Sequence, residues 1–311
     1  MKIAIFTDSF YPTINGVVVS TICFINELTK LGHQIQVYCP HLKGVKNLTI
    51  ENVEIIPLRG IPALFYPDFK FTTFSTPKVI SKIKKFNPDI IHFHTQFVIG
   101  FKGIMVGKIF KIPIIGTYHT NISNEGYLKN IKMDNIEFIK KYAHKYNNLY
   151  YQNADLVLAP SVDSQDELIK DGIDNNKIKI LFNPLPLEEK TDKKVFLKGV
   201  SGDIVLYVGR IAKEKNIEKA MEIFIEASKK RTNLKFVLVG DGPIKNKLEN
   251  EIKEKGLENK IIFLGMIGHK DLVNSDIFEK SKIFLTASLS ETFGITIIES
   301  LYFGVPVVGF K

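Results

Sequence analysis

The sequence predicts an α/β protein with two domains, each built on a mostly parallel sheet that helices cover on both faces. Short apolar runs rich in β-branched residues alternate with longer amphipathic segments, and this order produces sheets of that kind. The alternation starts again after a polar, lysine-rich stretch at 187–201. The length of 311 residues also exceeds what a single core usually holds, which is about 250 to 300 residues.

In the first domain, apolar runs predict strands at Ile3–Phe6, Ile35–Tyr38, Val53–Ile56, Ile90–Phe93, Ile114–Thr117, Leu156–Ala159 and Ile178–Phe182. The second domain repeats the pattern, with predicted strands at Ile204–Val208, Lys235–Val239, Ile261–Leu264, Ile283–Thr286 and Val305–Val308. Its predicted helices are Ile217–Lys229, Ile244–Lys255 and Ile295–Phe303. We therefore place the first domain at 1–186, a linker at 187–201 and the second domain at 202–311.

Composition and charge restrict the class of protein. The contents of 45% hydrophobic and 24% charged residues are typical of globular proteins, and no run reaches the about 18 apolar residues that span a bilayer. Cys23 and Cys39 lack metal-ligand spacing, so we expect buried thiols in a reducing cytoplasm. The net charge of +9 is spread over both halves, which disfavours nucleic acid as a partner.

The strongest local signal is Glu291-Thr-Phe-Gly-Ile-Thr-Ile-Ile-Glu299, which follows a predicted strand and opens a predicted helix. Backbone N–H groups at a helix N-terminus favour an anion such as phosphate. Glu291 could accept hydrogen bonds from sugar hydroxyls, and Glu299 could reach a ribose diol. The alternative is that Glu291 caps the helix and Glu299 is solvated. Phe293, Gly294 and the position at the carboxyl end of a strand favour a binding site.

A second strand-to-helix turn, Gly209-Arg-Ile-Ala-Lys-Glu-Lys215, carries positive charge. A guanidinium fork at Arg210 and an ammonium group at Lys215 can together neutralise a diphosphate. The alternative is a solvated cationic turn, which suits Lys213 in this lysine-rich chain better than it suits Arg210.

Gly16 lies where the first strand is followed by Tyr11-Pro-Thr-Ile-Asn-Gly16 and the first helix begins. This segment lacks the Gly-x-Gly-x-x-Gly pattern of dinucleotide-binding turns, so a redox cofactor loses support. We interpret Gly16 as a point where the backbone comes close to a phosphate, although a glycine in such a turn often serves only the backbone.

His119 stands just beyond the predicted strand Ile114–Thr117, where its imidazole could hydrogen-bond a sugar hydroxyl or stabilise developing charge. A lone histidine is more often structural, and that alternative stays open. His92 and His94 also end a strand, but no cysteine or carboxylate stands at ligand spacing, so we predict no metal.

Two basic segments with interleaved aromatic residues, Lys78–Lys85 and Lys129–Tyr146, suit an anionic membrane surface. The second segment contains Lys129, Lys132, Lys140, Lys141 and Lys145 alongside Phe138, Tyr142 and Tyr146. A solvated helix in a lysine-rich chain explains both segments equally well.

Together these segments resemble glycosyltransferase family 4, a family of retaining enzymes with the GT-B fold of two Rossmann-like domains facing across a cleft. The resemblance spans nearly the whole chain and rests on the Glu-x7-Glu motif, the Gly-Arg-x4-Lys turn and Pro88-Asp-Ile-Ile-His92. The opening at 6–18 looks like that of bacterial diacylglycerol glucosyltransferases. The resemblance thus implies a UDP-glucose-like donor, a lipid acceptor and a cytoplasmic enzyme on the inner face of the cell membrane.

The resemblance also implies a role for each candidate residue. Those assigned to the nucleotide-sugar donor are Gly16, Arg210, Lys215, Phe293, Gly294, Ile295, Thr296 and Glu299, and those assigned to the reacting sugar are His119 and Glu291. Family members need no divalent metal and no other cofactor. No enzyme nucleophile is required, because the departing phosphate deprotonates the acceptor in a front-face displacement.

Two departures from the family pattern lead to further expectations. Asn183-Pro-Leu-Pro186 stands where the family commonly has Asn-Gly-Val-Asp, which alters the expected hinge. The family continues past Phe310, so we expect an incomplete second domain with weakened closure. Three alternatives stay open: transfer to a polysaccharide or other acceptor, an epimerase or phosphorylase on the same fold, and an inactive fragment that only binds nucleotide.

Overall fold

The computed structural model describes residues 1–13, 15–63, 66–72, 76–119, 136–185, 192–289, 291 and 293–310. These residues divide into two compact units. The first unit holds the described residues up to 185, and the second holds those from 192 onwards.

The first unit is built on a parallel sheet flanked by helices. Its strands are β1 (Lys2–Phe6), β2 (Gln34–Pro40), β3 (Val53–Leu58), β4 (Ile61–Ala63), β5 (Tyr66–Phe71), β6 (Ile90–Phe93), β7 (Ile114–Thr117), β8 (Leu156–Ala159) and β9 (Ile178–Ile180). Its helices are α1 (Gly16–Lys30), α2 (Thr76–Phe86), α3 (Val98–Phe110), α4 (Ile136–Tyr151) and α5 (Val162–Lys170). Seven strands form the parallel sheet in the order β3-β2-β1-β6-β7-β8-β9, and β4 pairs with β5 antiparallel.

The second unit has the same architecture on a smaller scale. Its strands are β10 (Asp203–Val208), β11 (Leu234–Val239), β12 (Ile261–Gly265), β13 (Ser281–Leu285) and β14 (Val307–Val308). Its helices are α6 (Ile217–Lys230), α7 (Lys245–Glu254), α8 (His269–Val273), α9 (Ile277–Lys280) and α10 (Ile295–Tyr302). The five strands form one parallel sheet in the order β12-β11-β10-β13-β14.

Packing on both faces explains why β1 is apolar from Ile3 onwards and β10 from Ile204 onwards. In β1, Ile3 and Ile5 belong to one hydrophobic cluster, while Ala4 and Phe6 belong to another on the opposite face. Successive side chains of a strand point to opposite faces, so a strand covered on both sides has no solvent-facing position. β10 follows the same rule, with alternate residues in two separate clusters.

The central strands also mark the place where ligands usually bind in such sheets. β1 lies between β2 and β6, and β10 lies between β11 and β13, so the strand order reverses direction at both. In open parallel sheets, the loops beyond the carboxyl ends of the strands at this point form the usual ligand crevice.

The predicted α/β class with two parallel, Rossmann-like sheets is confirmed. Every predicted strand is present, although Ile178–Phe182 ends at Ile180 and Val305–Val308 starts only at Val307. The antiparallel pair of β4 and β5 was not predicted, because Pro62 and Pro67 interrupt the pattern that indicates a strand. The short helices α8 and α9 were also missed, since five and four residues are too few for a helical period to show.

Part of the predicted linker packs on the second unit. The backbone N–H groups of Phe196 and Leu197 donate to Asp276 Oδ1 at 2.9 Å and 3.3 Å. Leu197 is buried in the core of this unit, and Lys194 forms a β-bridge with Ser275. These residues are structured parts of the second unit, while the domain limits 1–186, 187–201 and 202–311 stay predictions.

Candidate active site

The loops after β10 and β11 meet at the carboxyl edge of the second sheet. The Gly209 N–H donates to the Val239 carbonyl oxygen at 3.0 Å. Gly240 lies so close that an added Cβ would stand 2.0 Å from the Gly209 carbonyl oxygen. Both glycines have positive φ, 153° and 140°, which other residues rarely adopt. Glycine is therefore required at both positions, because it allows the backbones of the loops after β10 and β11 to lie close together at the sheet edge.

Lys215 and Glu291 form an ion pair that joins two of the predicted motifs. Lys215 Nζ lies 2.6 Å from Glu291 Oε1, and the two side chains are 25% and 31% exposed. Nearby, Asn216 Nδ2 donates to the Ala287 carbonyl oxygen at 3.1 Å, which ties the β10 loop to the loop after β13. Residues 76 positions apart in sequence thus share one charged patch at the sheet edge.

Arg210 lies on the same loop with its guanidinium partly exposed. Its Nη1 is 4.0 Å from Glu214 Oε1, and the Tyr207 hydroxyl donates to the Arg210 carbonyl oxygen at 3.0 Å. Burial, together with the negative charges of Glu291 and Glu214, raises the pKa of Tyr207 well above its usual range. The phenol therefore stays a neutral donor that fixes the backbone from which the Arg210 side chain projects.

Helix α10 begins directly after Gly294, which has a left-handed φ of 69°. The Gly294 carbonyl oxygen accepts from the N–H groups of Ile297 at 2.9 Å and Ile298 at 3.2 Å, so both an i+3 and an i+4 hydrogen bond close the first turn. The N–H groups of Ile295 and Thr296 have no acceptor within the helix, as in the first turn of any helix. Phe293 is half-buried beside them. This end of α10 presents the donors and the partial positive charge that an anion needs.

Glu299 is buried on α10, so it is not the solvated side chain of the alternative considered for it. Its Oε1 accepts a hydrogen bond from His269 Nε2, and the two atoms are 2.8 Å apart. His269 is the first residue of α8, beyond the carboxyl end of β12, and sequence reasoning missed it. Its position after a strand, the same signal that singled out His119, could have found it. The contact holds the Glu299 carboxylate in one orientation.

In the first unit, Gly16 is the exposed first residue of α1. The preceding Asn15 caps this helix, because its Oδ1 accepts from the Val18 N–H at 3.0 Å. Asn15 Nδ2 also donates to Ser9 Oγ at 2.8 Å, which ties the cap to the loop after β1. The Asn15 side chain thus accepts a hydrogen bond from one of the N–H groups in the first turn of α1, and the backbone of Gly16 stays exposed to solvent.

His119 is buried beyond the end of β7 and belongs to a group of three imidazoles. His94 Nδ1 and His119 Nε2 are 3.0 Å apart, while His92 Nε2 lies 2.7 Å from Thr117 Oγ1. Burial lowers the pKa of His119 to about 3 and that of His92 to about 4. All three rings are therefore neutral near pH 7. Among the residues that the structure describes, no group of three or more His, Cys, Asp or Glu side chains could hold a metal ion.

Asp8, which sequence reasoning did not single out, is a buried carboxylate after β1. Its oxygens accept from Thr95 Oγ1 at 2.7 Å and from the N–H groups of Ile99 and Gly100 at 2.8 Å and 3.1 Å. Burial raises the pKa of Asp8 to about 6, although these hydrogen bonds and the charge of Lys102 oppose the shift. Asp8 therefore occupies the N-terminus of α3 and closes that helix end to an outside anion.

In the basic segments predicted to meet a membrane, some lysines contact other groups of the protein and others are exposed to solvent. On α2, Lys78 Nζ donates to the Pro57 carbonyl oxygen at 2.8 Å and Lys82 pairs with Glu54, while Lys84 and Lys85 are exposed. In the second segment, Lys129 and Lys132 lie outside the described residues, and Lys145 and Tyr142 are exposed. Tyr146 instead packs against the hydrophobic core of the first unit. Within the described ranges, no helix has the length and apolar character needed to cross a bilayer.

The structure places the candidates in two groups, one in each unit. In the second unit, Arg210, Lys215, Glu291 and Gly294 lie on the loops after β10 and β13, and Glu299 lies on the helix that follows. In the first unit, Gly16 and His119 lie beyond the carboxyl ends of β1 and β7. Each group has the place in its own sheet that the sequence predicted.

Comparison with known proteins identifies the family. The model described as "Glycosyltransferase Family 4" matches residues 14–189, and the model described as "Glycosyl transferases group 1" matches residues 188–311. The chain is 30% identical to the alpha-monoglucosyldiacylglycerol synthase of Streptococcus pneumoniae, an alignment that covers 99% of this chain and 70% of that protein. It is also 30% identical to the protein of the same name from Acholeplasma laidlawii, over 99% of this chain and 80% of that one.

A solved structure supports the same fold. HepE of Anabaena, in complex with UDP and glucose, aligns with a TM-score of 0.72 and 20% sequence identity, over 99% of this chain and 80% of that chain. At this identity the likeness concerns the fold alone. Together with the two family matches, it leads to one conclusion: the chain belongs to glycosyltransferase family 4, and it is a glycosyltransferase with the GT-B fold.

Proposed function

We propose that the chain transfers a hexosyl group from a nucleotide sugar, UDP-glucose in the first instance, to diacylglycerol with retention of configuration. Two relatives at 30% identity are named alpha-monoglucosyldiacylglycerol synthases, and HepE was solved with UDP and glucose. The observation that carries the proposal is the contact between Lys215 and Glu291. It combines a phosphate-binding cation and a sugar-binding carboxylate at the sheet edge where α/β proteins bind ligands.

The donor diphosphate is bound by positive charge from three sources. Arg210 provides a fork of N–H donors, Lys215 provides a point charge, and the N-terminus of α10 provides backbone N–H groups at Ile295 and Thr296. These groups are held in place before any ligand arrives: Lys215 by Glu291 and the Arg210 backbone by Tyr207. Preorganised charges of this kind stabilise the leaving phosphate as its charge develops in the transition state.

The remaining residues orient the nucleoside and the sugar. Glu299 accepts from the ribose diol, with His269 holding its carboxylate at 2.8 Å. Glu291, Phe293 and Gly294 lie next to the donor sugar and its phosphates. In the first unit, Gly16 offers an exposed backbone to the diphosphate and His119 contacts the transferred sugar. No side chain is assigned as a nucleophile, because the leaving phosphate can take the acceptor proton.

The lipid acceptor requires the enzyme to work at a membrane surface. We assign that contact to the cationic side chains of α2, of which Lys84 and Lys85 are exposed. Basic residues near an anionic surface each contribute about 1 kcal/mol to binding. The enzyme would then lie on the inner face of the cell membrane, where anionic lipid and cytoplasmic nucleotide sugar meet.

Thermal unfolding with added nucleotides tests the donor assignment. We expect UDP and UDP-glucose to raise the melting temperature, and GDP-mannose to have a smaller effect. Glu299→Gln is expected to weaken UDP binding about tenfold, because the neutral amide is a poorer acceptor for the ribose hydroxyls. Glu258→Gln is the matched control, since Glu258 is exposed on a loop between α7 and β12. Equal shifts with all three nucleotides, or none, would contradict the donor assignment.

Vesicle flotation tests the membrane assignment. The double variant Lys84→Glu/Lys85→Glu is expected to lose at least about tenfold in affinity for vesicles containing phosphatidylglycerol, since each lysine contributes about 1 kcal/mol. The control variant Lys229→Glu/Lys230→Glu changes the net charge equally at the end of α6 in the second unit. The same loss in both variants would mean that only net charge matters. An unchanged Lys84→Glu/Lys85→Glu variant would exclude α2 as the membrane contact.

A further inference from the structure

Two of the buried imidazoles at the ends of β6 and β7 contact each other, and only one of them has a role in the proposed reaction. His94 Nδ1 and His119 Nε2 are 3.0 Å apart. The rings are nearly parallel, with 16° between their planes and 5.2 Å between their centroids. At this distance one nitrogen must donate a hydrogen bond and the other must accept it.

Burial leaves two possible arrangements for this hydrogen bond. It lowers the pKa of His119 to about 3 and that of His94 well below its usual range, and the neighbouring imidazoles lower both further. A neutral imidazole carries a proton on only one of its nitrogens. Either His94 donates from Nδ1 to His119, or His119 donates from Nε2 to His94.

The other ring nitrogen of His94 decides between these arrangements. His94 Nε2 is buried and has no hydrogen-bond partner within the part of the chain that the structure describes. If His119 were the donor, the single proton of His94 would sit on Nε2, as a buried N–H without an acceptor. Orphaned N–H groups are rarer in folded proteins than unpaired acceptors. This rule favours His94 as the donor, with only a lone pair on its Nε2.

We propose that His94 is a positioning residue that donates from Nδ1 to His119 Nε2 and thereby places the proton of His119 on Nδ1. In this tautomer, His119 donates a hydrogen bond from Nδ1 to an oxygen of the transferred sugar and cannot accept a proton there. The inference rests on the proposed function, in which His119 contacts that sugar. His94 acts through His119, much as a carboxylate behind a metal-binding histidine sets its tautomer.

Substitutions at His94 separate the hydrogen bond from the bulk of the ring. His94→Asn keeps an N–H donor near the position of Nδ1, so we expect kcat within about threefold of the unaltered enzyme. His94→Leu removes the donor, and we expect kcat to fall about 10- to 100-fold, as for other residues that orient an active side chain. Equal losses in the two variants would overturn the proposal.

His92→Gln is the matched control for disturbing this core. The side chain of His92 is also a buried imidazole, but its Nε2 contacts Thr117 Oγ1 at 2.7 Å, a bond that the amide of glutamine can replace. We expect an unchanged kcat in this variant. A loss as large as that of His94→Leu would overturn the specific role of His94.

Nitrogen-15 NMR of histidine-labelled enzyme reads the tautomer without an activity assay. We expect His119 to be protonated on Nδ1 in the unaltered enzyme and in His94→Asn, and partly on Nε2 in His94→Leu, with His119→Ala assigning the signals. Protonation of His119 on Nε2 in the unaltered enzyme would overturn the proposal. Full activity of His119→Ala would overturn the proposed sugar contact instead, and the NMR spectra would still decide which nitrogen carries the proton.

Discussion

Replacing Lys215 by alanine is expected to lower kcat for glycosyl transfer by about 10²- to 10³-fold, because removing one preorganised charge from a leaving group costs this much. Glu291→Ala is expected to cause a loss of the same order, since Glu291 holds Lys215 Nζ at 2.6 Å and lies beside the sugar in the proposed function. Because the two side chains act as a unit, the double variant should lose much less than the product of the single losses. Initial rates with UDP-glucose and vesicles containing diacylglycerol measure all three.

Lys219→Ala is the matched control for charge. Lys219 lies on α6, and its half-exposed side chain pairs with Glu222 on the same helix at 2.8 Å. Exposed pairs of this kind contribute little, so we expect kcat within about twofold of the unaltered enzyme and a similar melting temperature. A Lys215→Ala variant that folds and retains full kcat would remove this loop from the donor site.

Acidification is expected to destabilise the first unit far more than the second. The folded-state pKa values of His92 and His119 are lowered to about 4 and about 3, and that of His94 lies well below its usual range. Below about pH 6.5 the unfolded chain therefore binds protons that the folded unit does not bind. The free energy of unfolding consequently decreases as the pH falls. Between about pH 7.5 and pH 5, each histidine removes about 2 kcal/mol as an upper estimate.

The buried carboxyl group of Asp8 acts in the opposite direction. Its pKa is raised to about 6, so the folded unit takes up this proton first and gains stability as the pH falls through that value. The gain is about 1.4 kcal/mol over the same range, which leaves a net loss of about 3 to 5 kcal/mol from Asp8 and the three histidines. Marginally stable domains unfold with a loss of this size.

Urea titrations at several pH values give the unfolding midpoint of each unit. Peptide-resolved hydrogen exchange monitors the unfolding and distinguishes the two units in one sample. The second unit has one histidine, His269, among its described residues, so its midpoint should change much less. His92→Gln removes one of the three titrating rings and should reduce the net loss in the first unit by about 2 kcal/mol. A first unit as stable at pH 5 as at pH 7.5 would show that these rings are not held neutral by burial.

The sequence by itself determined the fold class and the places of the motifs. A strand covered on both faces buries most of its side chains, so β1 and β10 stand out as continuous apolar runs from Ile3 to Phe6 and from Ile204 to Val208. The turns that follow them carry Gly16 and Arg210, and both lie beyond the carboxyl ends of their strands as predicted. Local patterns of this kind depend on neighbours in the chain, and such patterns can be read without the tertiary structure.

Only the tertiary structure decided which side chains contact each other. The pairs Lys215 with Glu291, His94 with His119 and His269 with Glu299 are 76, 25 and 30 residues apart. The parallel sheets bring them together, because adjacent strands in a parallel sheet are joined through crossovers and their carboxyl ends lie at one edge. The contact with His269 likewise orients the Glu299 carboxylate, and burial keeps the imidazoles neutral. Both effects come from how the elements pack, and local sequence does not encode that.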